Sequence, residues 1–76
     1  MKTVTLTKLQ ASQIVGNAFS IRDAPNEWKR MESPGHRVVD VGSSRILKKP
    51  QFDGKPPVWE ITGDPDDVDY WLGLTF

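Results

Sequence analysis

His36 is the only histidine of the chain, standing in the run Ser33-Pro34-Gly35-His36, with Ser43 and Ser44 further on. A serine nucleophile needs a base beside it and a third group to orient that base. None of these serines sits in a G-x-S-x-G elbow, and a histidine in a Pro-Gly turn is expected to be solvated. Asp64, Asp66, Asp67 and Asp69 form the densest group of acids. A calcium loop needs alternating acids, a glycine and a closing Glu, whereas here Pro65 interrupts the spacing and no Glu closes it. Helix capping already explains Asp64, Asp66 and Asp67. Asp69 is not needed for capping and is expected to face solvent beside Tyr70. Gly42-Ser43-Ser44-Arg45 could fold as a small backbone nest for an anion, with a short polar turn as the simpler alternative. With no Cys in the chain, disulfides and thiolate-bound zinc are excluded. The expectation is a protein that is not an enzyme, with no cofactor and no metal.

Charge is zero overall but divided along the chain. Residues 1–55 hold all ten Lys and Arg and five acids, net +5, while residues 56–76 hold five acids and no base, net −5. Such polarity can orient a small domain against a charged partner. Lys29, Arg30, Arg37, Arg45, Lys48, Lys49 and Lys55 crowd the middle of the sequence. On a shared face they would make a phosphate-binding stripe whose affinity falls with salt, with Arg45, Lys48, Lys49 and Lys55 as its nucleic-acid contacts. The isoelectric point of about 6.5 argues for the alternative, charge scattered for solubility.

These groups must be positioned by a single small α+β domain over residues 1–76. Lys2–Leu6 alternates as a half-buried strand. Thr7-Lys8-Leu9-Gln10 reads as a capping box, followed by the apolar stripe Ala11, Ile14, Val15, Ala18, Phe19 of a helix. Pro25 can open a short helical turn with Trp28 and Met31 inward, and Ser33-Pro34-Gly35 ends it. Strands are expected over 37–41, 45–48 and 57–62, with turns at Gly42-Ser43-Ser44 and Asp53-Gly54. Asp64 then caps a last helix, Pro65 takes its first position, and Val68, Trp71 and Leu72 point inward. The order is β-α-(short α)-β-β-β-α: a three- to four-stranded antiparallel sheet under one or two helices. Phe19, Trp28, Phe52, Trp59 and Trp71 are the expected core. Leu72, Leu74 and Phe76 alternate with Gly73 and Thr75, the pattern of a short strand able to pair with an edge. No apolar run approaches a membrane span, and the lack of Cys fits a cytoplasmic setting.

Lys49-Pro50-Gln51-Phe52-Asp53-Gly54-Lys55, then Trp59, then Asp67-Val68-Asp69-Tyr70-Trp71-Leu72 resembles the wing and closing helix of small phage excisionase-type winged-helix proteins. That resemblance covers about a third of the chain and implies a DNA-binding accessory protein using the basic hairpin. It departs from the family pattern between Ile21 and Pro34, where Pro25 and Pro34 are expected to break the recognition helix.

The leading expectation is different: a small protein-binding module that blocks a surface of a larger host protein or complex through a basic patch. Small phage-encoded inhibitors are similar in size and character. Asp66, Asp69, Tyr70 and Phe76 are its expected contacts, with Trp59 in support, since aromatic residues dominate binding hot spots. A homo-oligomer formed through the Leu72–Phe76 tail is the third expectation.

Overall fold

A computed structural model describes residues 1–75. Among them are four strands and three helices: β1 (Lys2–Leu6), α1 (Lys8–Ala18), α2 (Ala24–Glu32), β2 (Val38–Val41), β3 (Ser44–Lys49), β4 (Val58–Gly63) and α3 (Pro65–Gly73). The α+β order expected from the sequence is the observed one, and the sheet is antiparallel throughout, ordered β1-β4-β3-β2. β1 and β2 therefore hold opposite edges, and the α1–α2 pair carries the chain across the sheet between them.

Local chemistry sets each boundary. The capping box is complete: Gln10 N–H donates to Thr7 Oγ1 at 3.1 Å and Thr7 N–H donates to Gln10 Oε1 at 2.9 Å. Asp64 accepts from the Asp66 N–H at 3.0 Å, with Pro65 opening α3. Gly42, at φ +58°, takes the first position of the two-residue β2–β3 turn, where L side chains are strained. Asp53 and Gly54, at φ 65° and 72°, turn the longer β3–β4 connection.

Period-two alternation sorts the strands into two faces. Leu6, Trp59, Ile61, Ile46, Val39 and Val41 are buried under the helices, packed with Ala11, Ile14, Val15, Met31, Val68 and Trp71. The opposite face has no helix over it among the described residues. Across it run the rows Thr3–Thr62–Arg45–Asp40 and Thr5–Glu60–Leu47–Val38.

Three expectations are corrected. Pro25 does not break the segment after α1, because it occupies the helix start, where its missing N–H costs nothing; the short helix expected there, α2, runs 9 residues. Phe52 is not core: it sits 89% exposed in the β3–β4 loop, while aliphatic residues fill the space assigned to it. The alternating tail does not form a strand over its described residues. α3 continues through Leu72 to Gly73, and Leu74 and Thr75 donate backbone bonds to the Trp71 and Leu72 carbonyls. Phe76 lies outside the described residues.

Candidate interaction surface

The acidic stripe of α3 and the cations Lys49 and Lys55 lie toward opposite ends of β4, while Lys2 and Arg45 stand at the α3 end with the acids. β4 leads from the β3–β4 loop to α3, and its length of roughly 17 Å separates Val58 from Gly63. At the α3 end, Asp66, Asp69 and Tyr70 recur at i, i+3 and i+4, so one outer stripe of the helix carries all of them. All are exposed, Tyr70 by 59%. The Tyr70 ring is braced edge-on against Trp71, centroids 5.1 Å apart and planes at 72°. Asp69 accepts an ion pair from Lys2 across the sheet edge. Asp66 makes no ion pair among the described residues. Gly73 continues the stripe without a side chain, leaving Tyr70 unscreened on that side.

Asp67 points the other way. Its Oδ2 accepts from the Ser44 hydroxyl and from the Trp71 indole N–H at 3.1 Å. The Ser44 bond is the main cause holding its carboxyl below the usual range; partial desolvation opposes that, and Trp71 and Ser43 reinforce it. The turn thus serves the protein's own Asp67, through the Ser44 hydroxyl rather than through a backbone nest. Arg45 is turned away on the open face, paired with Asp40 at 2.8 Å.

Trp59 lies at the far end of β4 from this stripe. It is 4% exposed, stacked on Trp28 at 5.1 Å, with Lys48 Nζ 5.7 Å from its ring centroid. Here an open cleft of about 830 Å³ is lined by residues that include Leu6, Lys8, Glu32, Pro57 and Trp59. Lys48 Nζ donates to the Glu32 carbonyl at 2.9 Å, and Lys8 pairs with Glu32 at 3.0 Å. Lys49 pairs with Glu60 at 3.0 Å on the open face. The expected basic stripe is therefore divided: Lys48 and Lys49 are engaged on opposite faces of the sheet, Arg45 lies toward the other end, and Lys55 stands in the loop without an ion pair among the described residues.

The outer face of α2 exposes Lys29 and Arg30, counted above among the basic residues, together with Asn26, and their grouping on one helix face was missed by sequence reasoning. Polar residues at i, i+3 and i+4 were its signal, hidden by the expectation that Pro25 breaks the helix. His36 is exposed in the turn after α2, its N–H bonded to the Ser33 carbonyl at 3.3 Å. Among the described residues no group of three or more His, Asp and Glu is placed to hold a metal, and no helix is long and apolar enough to cross a membrane.

Fold and surface together define a two-layer α+β domain with one sheet face uncovered and an acidic, aromatic stripe on α3. No family model matches the chain, and no match was found among curated proteins or solved structures.

Proposed function

We propose that this chain is a non-enzymatic protein-binding module that blocks a basic patch on a larger protein. The observation that carries the reading is the contiguous exposed stripe Asp66–Asp69–Tyr70 on α3, its aromatic ring braced by Trp71. A pre-positioned Tyr loses little rotamer freedom on docking, and the carboxylates around it steer a basic partner. Asp67, the acid whose proton affinity is shifted, is engaged by Ser44 and Trp71 and turned from solvent chemistry. Trp59 supports the fold rather than the contact, being buried at the opposite end of β4.

The test is capture of partners from host lysate by tagged protein, with and without nuclease, alongside the Asp66→Lys, Asp69→Lys double variant. A stoichiometric protein band that survives nuclease and is lost with the variant supports the reading. A band indifferent to the variant removes the stripe from the contact.

A second reading, a small DNA-binding accessory protein, is favoured by α2. It is continuous, follows α1, and exposes Asn26, Lys29 and Arg30, near which Arg22 stands exposed. Under this reading nucleic acid is recovered only without nuclease, and each phosphate contact removed by substituting Lys29 or Lys55 lowers the salt slope by about 1.

A further inference from the structure

We infer that the α3 stripe docks in the apolar hollow on the open sheet face of a second copy of this chain, so that the protein self-associates through two unlike surfaces of its own. The inference rests on the stripe's being a docking surface, and it gives that surface a partner. On the open face of the sheet, at the end remote from α3, Val38, Leu47, Pro50 and Phe52 line a hollow of about 590 Å³ with Arg37 and Lys49 beside them. Val38 is 46% exposed and Phe52 89%, apolar surface that a small domain gains by covering. Arg37 makes no ion pair among the described residues.

The two surfaces are complementary in kind. One presents an aromatic ring beside carboxylates, Tyr70 with Asp66 and the Lys2-paired Asp69; the other presents an apolar floor edged by Arg37 and by Lys49, which Glu60 already engages. The pairing brings Asp66 and Arg37, neither of which makes an ion pair among the described residues, against a partner of opposite sign. Because β4 holds the surfaces at opposite ends, one molecule cannot close the contact on itself. A second copy can, and unlike surfaces of this kind join head to tail.

Sedimentation velocity at low salt tests this across a concentration series. The wild type is expected to gain mass with concentration, and to return to monomer near 1 M salt, where the screening length is about 3 Å. The stripe variant Asp66→Lys, Asp69→Lys and the hollow variant Arg37→Glu, Phe52→Ser are each expected to associate at least about tenfold more weakly. All these positions are exposed, and far-UV circular dichroism checks that the variants fold; Tyr70→Ala serves as a second stripe variant. Mixed together, the two double variants are expected to form a one-to-one dimer, since one keeps the hollow and the other keeps the stripe. A wild type that stays monomeric at low salt, a double variant that associates like the wild type, or a mixture that fails to pair would overturn the inference. Monomeric wild type with stripe-dependent capture of another protein overturns self-docking alone; stripe-independent capture overturns the parent reading.

Discussion

Gly63→Ala is a demanding check on the packing that joins α3 to the sheet. Gly63 ends β4 directly beside Ser44, and an added Cβ would stand 2.4 Å from Ser44 Oγ, 2.8 Å from its Cα and 2.9 Å from its Cβ. The Cα belongs to the backbone of β3, so no rotamer change relieves the clash. Either the strands separate or Ser44 swings away from Asp67. Overpacking of this kind costs about 1–3 kcal/mol. Replacing Gly by Ala within a strand returns about 0.5–1 kcal/mol from reduced unfolded-state freedom. The net is a destabilisation of up to about 2.5 kcal/mol, with a thermal midpoint lower by about 4–8 °C for each kcal/mol in a domain of this size. Gly16→Ala is the matched control. It lies in α1 with nothing within 4 Å of the added Cβ, so the same substitution should stabilise by about 0.5–1 kcal/mol. Urea unfolding followed by tryptophan fluorescence reads both. A Gly63→Ala midpoint raised above wild type, as in the Gly16→Ala control, would refute the close approach of Gly63 to Ser44.

Phe52→Ser should shift the urea midpoint by no more than about 0.5 kcal/mol, because the ring contributes little to the core at 89% exposure; a loss typical of a core phenylalanine would contradict the fold of the β3–β4 loop. The lowered Asp67 proton affinity stabilises the native state above the unfolded carboxylate range near pH ~3.9, and that contribution is lost as pH falls through the lower folded value. Asp67→Asn should therefore flatten the acid limb of stability against pH; an unchanged limb would contradict the Ser44–Asp67–Trp71 arrangement. Lys2→Ala breaks an exposed ion pair to Asp69 and should cost no more than about 1 kcal/mol in thermal unfolding, so a larger loss would show the pair to be structural.

Much of the fold was legible because local signals agree with it. Thr7 and Gln10, the Ala11–Ile14–Val15 spacing, and Asp64-Pro65 each specify a helix end or face through contacts made within a few residues. What sequence could not supply was register. Ser44 and Asp67 are 23 positions apart, and nothing local says that β3 and β4 pair so as to bring one beneath the other. The division of the basic residues needed no register, only a strand that runs on through Lys49: Lys48 and Lys49 are adjacent in sequence and therefore on opposite faces. Phe52 misled by its type, since a large aromatic suggests core while the surrounding Pro50, Asp53 and Gly54 require a loop. Leu72–Thr75 misled by its alternation, which a helix end with its last inward turn also produces. The acidic stripe was legible in part, because Asp69 and Tyr70 follow directly from helical spacing once Asp64 is the cap.

The central claim is that the α3 stripe is a docking surface, and association kinetics test it most directly. The captured partner is mixed with wild type and with the Asp66→Lys, Asp69→Lys variant, and the association rate is measured at low and high salt. Docking through the stripe predicts slower association of the variant by at least about tenfold at low salt, a difference that shrinks as salt rises, and unfolding within about 1 kcal/mol of wild type. Equal association rates for the two proteins at low salt, with the variant folded, would contradict it.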